Sequence, residues 1–376
     1  MLMQLTRRSF LRLAALAPAG MGVRGFALDD TAALPTADEK RRLDELATGF
    51  LREFKIPGIS VAFAHWGSLA YAAGYGLTDV RNKQPVSGES TFRIASISKC
   101  FTSVAIYTLV EQGKISLDDR VFGSQGILAH FNVKTTHRDW LESIEVRHLL
   151  THTAGGWSHD PPDPSYMWPE LNQEEMLQQT ISTVALKTQP GTNFAYSNIG
   201  FLLLGRVIEE RSRQHYRDYV RDHVLTPCGI TTMFIGENTP NSRRREVTYY
   251  APEFHGEIDI PRRDSCGAWV ATPSDLVRFA LHVDGYKDPP DILKGSSILD
   301  MTTPTRANPR YAKGWSVNQA DNWWHSGKLP GTASILVRTN GGMCWAAMTN
   351  RTGDAVDPAL DKLMWQMARS VAIWHA

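Results

Sequence analysis

The chain has 376 residues, 42% of them hydrophobic, which is long and apolar enough to fill a sizeable core. Forty basic residues against 39 acidic ones leave a formal charge of +1, which excludes a whole-protein field that gathers nucleic acid or an anionic membrane surface. The expected partner is a small molecule.

Residues 1–27 open with Arg7 and Arg8, followed by Phe10, Leu11, a short apolar stretch and a small-residue end near Ala27. That is the pattern of a cleaved signal peptide of the twin-arginine type, and it predicts export in a folded state, to the periplasm or beyond. Pro18, Gly20 and Gly22 interrupt the apolar run, which falls far short of the roughly 20 residues a spanning helix needs, so no stable membrane span is expected.

In the stretch TADEKRRLDELATGFLREFKIPG, Leu43, Leu46, Phe50, Leu51 and Phe54 recur on one helical face, with Pro57 and Gly58 as the stop. GISVAFAHWGSLAYAAGYG then reads as a β-hairpin that turns around Gly67 and Ser68. The middle of the chain has a different texture: FTSVAIYTLVEQG, IGFLLLGRVIEER and SDLVRFALHV are helical stretches joined by long proline-rich loops. One such loop, SHDPPDPSYMWPE, is longer than a compact domain needs and is a candidate wall of a binding site. Near the end, NWWHSG, TASILVR and MCWAAMTN are three short strands, the last two joined across TNGG. Leu360, Leu363, Met364, Met367 and Val371 then mark a closing helix.

These elements predict an α+β fold: one antiparallel sheet built from both chain ends, flanked by the terminal helices. Residues 28–113 and 262–376 form the sheet domain in this reading, and residues 114–261 a mainly helical inserted domain. The four cysteines, Cys100, Cys228, Cys266 and Cys344, show no CxxC pair and no zinc-like spacing. Buried free thiols are the expected state, with a Cys228–Cys266 pair as the alternative in an oxidising compartment.

The chemistry begins in TFRIASISKCFTSVAI, where Ser96 and Lys99 stand three apart at the start of a helix. A serine hydroxyl is a weak nucleophile until a base takes its proton, and that spacing puts the lysine amine on the same helical face. By itself SxxK is a common pattern of surface helices. In NFAYSNIGFLLLGRVIEE, Tyr196 and Asn198 precede a strongly apolar helix, which Asn198 can also simply cap while Tyr196 packs. In WWHSGKLPGTASILV, His325, Ser326 and Gly327 end a strand, and the glycine permits close backbone approach.

In the order SxxK, YxN, HxG, the chain resembles the serine beta-lactamase and penicillin-binding protein superfamily, in particular its class C and esterase-like branch. VRHLLTHTAGG, FAYSNIGFLLLGRVIE, ATPSDLVRFA and HSGKLPGTASILV look like that family's segments in order, over most of residues 35–370. The resemblance implies a beta-lactamase-like fold and a serine hydrolase that works through an acyl-enzyme on Ser96. It implies that Lys99 activates Ser96, that Tyr196 is the second proton carrier and that Asn198 positions substrate and lysine. Which of Lys99 and Tyr196 is the base stays open, because the two titrate as a pair. The backbone N–H groups of Ser96 and Lys328 match the oxyanion hole.

One departure bears on substrate. Penicillin-hydrolysing relatives usually carry Lys-Thr-Gly where this chain has His325, Ser326 and Gly327, and histidine is only partly protonated near neutral pH. Weaker capture of anionic substrates follows, which favours an esterase, or an amidase or peptidase of D-amino acids, over a strong beta-lactamase. The substrate is expected to be a small ester, an amide or a peptidoglycan-derived molecule. Trp157, Tyr166, Trp168, Trp323 and Trp324 are expected near the cleft, where they suit an apolar or aromatic acyl group. A low-turnover peptidoglycan-binding or regulatory protein is the alternative. His148 and His152 stand four apart without an acidic third ligand, and GxSxG, HExxH and phosphate-loop motifs are absent. Neither a metal nor a cofactor is expected.

Overall fold

A computed structural model describes residues 35–132, 138–251 and 258–374. The signal segment expected at residues 1–27 lies outside them. The first helix, α1 (Ala37–Phe54), starts where Thr36 Oγ1 accepts from the Glu39 N–H and the Glu39 carboxylate takes the Thr36 N–H, a reciprocal cap. It closes at Lys55, which is left-handed at φ 52°. The stop comes just before Pro57, because the proline ring already disfavours helical geometry at Ile56.

Strands β1 (Gly58–His65) and β2 (Ser68–Asp79) form the expected hairpin. Its turn residues are Trp66 and Gly67, at φ 44° and 88°, one place earlier than expected. Positive φ at both positions gives the turn a twist that matches its strands, and Ser68 already belongs to β2. There follow β3 (Gln84–Pro85), β4 (Phe92–Arg93), α2 (Ser98–Glu111), α3 (Arg138–Glu142), α4 (Val146–Leu150), α5 (Gln173–Thr183), α6 (Asn198–Ser212) and α7 (Tyr216–Val220). The remainder comprises β5 (Phe234–Ile235), α8 (Asp264–Gly267), β6 (Trp269–Ala271), α9 (Pro273–Leu281), α10 (Gly295–Thr302), β7 (Ser316–Val317), β8 (Trp323–Leu329), β9 (Thr332–Arg338), β10 (Met343–Thr349) and α11 (Val356–Ser370).

Seven strands form one antiparallel sheet in the order β3-β2-β1-β10-β9-β8-β7. The two ends of the chain meet at its centre, where β1 pairs with β10 from Ile59↔Thr349 to His65↔Met343. A smaller sheet has the order β4-β6-β5. The fold is therefore α+β, with a large antiparallel sheet contributed by both chain ends.

On one face of the sheet, Leu43, Ala47 and Phe50 of α1 and Leu360, Met364 and Met367 of α11 bury Val61, Phe63 and Trp345. The other face carries α2, whose residues from Ser98 to Leu109 are all buried. A helix buried on every side lies in the centre of the domain, and so its one lysine, Lys99, is carried into the interior. Phe101 of α2 stacks on Phe279 of α9 with ring centroids 3.9 Å apart. Leu149, Phe201 and Leu204 from the 114–261 segment share one continuous cluster with Phe101, Leu336 and Met348. All four cysteines are buried and unpaired. Among the described residues no helix is long and apolar enough to cross a membrane.

Leu43 lies across the sheet from α2. Leu43→Ala is expected to lower the unfolding free energy by about 2–5 kcal/mol, read as a lower urea midpoint at unchanged slope.

Candidate active site

Ser96 sits in a single 3₁₀ turn, Ala95–Ile97, that leads directly into α2. Ala95 is left-handed at φ 47°, a state that costs a non-glycine residue about 1–2 kcal/mol. Two hydroxyls from β9 hold the segment in place: Ser334 donates to the Ile94 carbonyl at 2.8 Å and Thr332 to the Arg93 carbonyl at 3.0 Å. Gly327 of β8 passes so close that a Cβ there would lie 2.2 Å from the Ile94 oxygen and 2.3 Å from Ser334 Oγ. Only glycine fits, and its close approach brings the His325-Ser326-Gly327 segment beside the serine turn.

Lys99 follows one helical turn later and is wholly buried. Its Nζ donates to Ser96 Oγ at 3.0 Å, to Asn198 Oδ1 at 2.8 Å and to the Cys266 carbonyl at 2.9 Å. None of these acceptors is a carboxylate. Burial pushes the amine's pKa down to about 8, which leaves on the order of a tenth of it neutral at pH 7.

Asn198 opens α6, and its Nδ2 donates to Asp163 Oδ2 at 2.8 Å, which turns its carbonyl oxygen toward Lys99. Asp163 is buried and also accepts from the Ser165 N–H at 2.8 Å, capping the turn Pro164–Tyr166. The Tyr196 phenol lines the cleft with Ser96, and Lys99 Nζ lies 4.9 Å from its ring centroid. Burial pushes the phenol above its ordinary pKa. At neutral pH Tyr196 therefore keeps its proton, and the lysine is the group close to titration.

Behind Tyr196 runs a chain of hydrogen bonds with one direction. The Ser197 N–H donates to His152 Nδ1 at 3.0 Å, so the proton of neutral His152 sits on Nε2, 3.1 Å from the Tyr311 hydroxyl. Tyr311 in turn lies 3.2 Å from His325 Nε2, and His325 Nδ1 lies 2.6 Å from the Ser326 carbonyl oxygen, which can only accept. Every link is satisfied with both imidazoles neutral. Burial lowers His152 well below its ordinary pKa and His325 to about 3. His325 is thus uncharged at neutral pH, rather than partly protonated as its residue type alone suggests.

The family model for beta-lactamase matches residues 43–368. This chain belongs to the beta-lactamase family. Protein flp of Staphylococcus aureus (strain MW2) is 27% identical to it over 314 residues, 80% of this chain and 61% of that protein. Penicillin-binding protein 4* of Bacillus subtilis (strain 168) is 24% identical over 313 residues, 74% of this chain and 64% of that protein. The chain spans less than two thirds of the length of these relatives. A solved structure of D-amino acid amidase from Ochrobactrum anthropi SV3, complexed with L-phenylalanine amide, matches with a TM-score of 0.72 at 20% identity, covering 89% of this chain and 99% of that one. The octameric penicillin-binding protein homologue from Pyrococcus abyssi matches with a TM-score of 0.71 at 22% identity, covering 88% and 77%. Likeness at these identities establishes the beta-lactamase-like fold.

In this beta-lactamase-family chain, Ser96, Tyr196 and Asn198 open onto a cleft of about 580 Å³ walled by Tyr166, Phe194 and Trp324. The period-two alternation of β8 explains which predicted aromatics reach it: Trp324, Ser326 and Lys328 face outward, whereas Trp323, His325 and Gly327 are buried. Trp323 packs under the Arg338 guanidinium at 3.7 Å, and Trp157 is buried with its indole donating to the Val184 carbonyl at 3.0 Å. Trp168 packs against the core. Of the five expected aromatics, then, Tyr166 and Trp324 line the cleft. Lys328 Nζ donates to Asp354 at 2.9 Å.

His148 and His152 have separate tasks, since His148 Nδ1 accepts from the Glu145 N–H at 3.1 Å at the start of α4. Among the described residues there is no group of three or more metal-ligating side chains. Sequence reasoning flagged the loop that carries Asp163 but not the residue, although an aspartate before a proline is itself a turn-cap signal. Tyr311 and Arg310, in the segment NPRYAKGW, gave no recognisable pattern.

Gly327→Ala is expected to displace the Ser96 turn and slow modification of Ser96 by a fluorophosphonate by about 100-fold or more. Intact-mass time courses on folded protein would measure it.

Proposed function

We propose that this protein is a serine hydrolase that cleaves a small ester or a D-configured amide through an acyl-enzyme on Ser96. The observation that carries this reading is the buried Lys99 amine hydrogen-bonded to Ser96 Oγ without a carboxylate to hold it charged. Neutral Lys99 takes the Ser96 proton as Oγ bonds to the substrate carbonyl carbon, whose oxygen takes up the negative charge. Collapse breaks the bond to the leaving group, which takes the Tyr196 proton, and the Lys99 ammonium then returns a proton to the phenolate. Water opens the acyl-enzyme by the same route in reverse.

Tyr166, Phe194 and Trp324 suit an apolar or aromatic acyl group. With His325 neutral and Lys328 bound to Asp354, the cation in the cleft wall without an acidic partner among the described residues is Arg310. We assign it the capture of a substrate carboxylate. The proposal also keeps export, on the strength of Arg7 and Arg8 and the short apolar stretch after them; amino-terminal sequencing of exported protein would test that.

Incubation with a fluorophosphonate or a nitrophenyl ester is expected to leave a single adduct on Ser96, absent in Ser96→Ala. Turnover that persists in that variant would refute the assignment. Stoichiometric acylation without release would move the reading to a penicillin-binding role. Because neutral Lys99 is the active form, the acylation rate should rise with pH along a limb centred near 8. Arg310→Ala should lower kcat/KM for a carboxylate-bearing substrate about tenfold more than for its methyl ester.

A further inference from the structure

Arg263, at the start of α8, is 4% exposed. Its Nη1 donates to Ser165 Oγ at 3.1 Å and its guanidinium lies 4.1 Å from the Tyr166 ring centroid, while its buried Nε has no hydrogen-bond partner. No carboxylate among the described residues forms an ion pair with it. Its neighbour Arg262 already ties down the loop, donating to the carbonyls of Trp168 at 2.7 Å and Leu171 at 2.9 Å. A second buried guanidinium is not needed for that purpose, and an unpaired buried charge is costly to keep.

Its location accounts for it. A Cβ placed on Gly267 would lie 3.8 Å from Arg263 Nε and 3.9 Å from the Ala95 carbonyl carbon, so the guanidinium and the turn that carries Ser96 flank the same glycine. One residue before that glycine, the Cys266 carbonyl accepts from Lys99. The other groups that face Lys99 carry no charge at neutral pH: burial keeps the Cys100 and Cys266 thiols and the Tyr196 phenol protonated, and His152 and His325 neutral. Asp163, bound to Asn198, is the opposing carboxylate.

We propose that Arg263 is a positioning residue for the proton: its buried charge acts on Lys99 and raises the share of the amine in the neutral form that accepts the Ser96 proton. This rests on the assignment of Ser96 and Lys99 made above. Arg263 disfavours the protonated amine and favours ionisation of Tyr196, whereas Asp163 favours the protonated amine. The Arg263 contribution therefore has the same catalytic sense at both groups.

The test is the pH profile of Ser96 acylation by a fluorophosphonate in the full chain, followed by intact mass. Wild-type protein must first label at Ser96; failure there sinks the hydrolase assignment, independently of Arg263. Arg263→Gln keeps a donor for Ser165 and removes the charge. Its acid limb should move up by about half a pH unit or more, roughly a threefold loss at pH 7, while Arg263→Lys stays at the wild-type position. A folded Gln variant with an unmoved limb overturns the proposal, as does a Lys variant that moves as far as the Gln variant. Should Arg263→Gln fail to fold, Arg263→Met, which removes the charge and keeps the apolar stem, decides: its limb must move up, and an unmoved limb overturns the proposal.

Discussion

The rest of the site depends on one buried amine and the atoms that can accept from it. A neutral amine has two hydrogens to donate and one lone pair. Two of the three partners of Lys99, Asn198 Oδ1 and the Cys266 carbonyl, have nothing to donate in return. Both hydrogens must go to them, and the lone pair is left pointing at the remaining partner, the Ser96 hydroxyl. The amide of Asn198 could in principle face either way. Asp163 prevents the flip, because a carboxylate accepts only from the NH2 end. The direction of the base is thus set two residues away from the nucleophile, by a loop aspartate that never touches it.

Around this centre the protein maintains two environments with opposite logic. Near Lys99, unpaired charges are kept, and their fields bear on a group poised close to titration. Behind Tyr196, charge is kept out: His152, Tyr311 and His325 form a chain in which each donor meets one acceptor, and a fourth proton would have nowhere to go. A protonated His325 would also repel the Lys99 ammonium. Removing charge from the HSG segment therefore protects the proton balance of the lysine, and the cation that remains in the cleft lining without an acidic partner among the described residues is Arg310.

Much of the fold was legible because its signals are periodic. The core face of α11 was read residue by residue, and Leu360, Leu363, Met364, Met367 and Val371 are all buried. The three closing strands were bounded by their turns. Failures came where the deciding contact is distant in sequence. Nothing near Asp163 announces Asn198, 35 positions away, and nothing near Tyr311 announces His152, 159 positions away. The two neighbouring tryptophans of β8 were both expected near the cleft, yet the pleat sends Trp323 into the core and Trp324 outward. His325 was judged by its residue type, whereas its charge is decided by burial, which no spacing encodes.

The geometry of the serine turn depends in turn on strand pairing. Ala95 occupies a backbone state it does not favour, and the hydroxyls that secure the segment come from β9, some 240 positions later. β9 is fixed by β10, and β10 by β1 near the front of the chain. The strained turn of the nucleophile is therefore tied, through β9 and β10, to the pairing of the first and last parts of the sheet. Coupling of this kind holds the strained turn against β8 and β9, whose pairing with the rest of the sheet offsets its cost. It also explains why glycine is required at position 327: the strand must come within contact distance of the Ile94 carbonyl to hold the turn, and a side chain as small as a methyl would occupy the space that the contact needs.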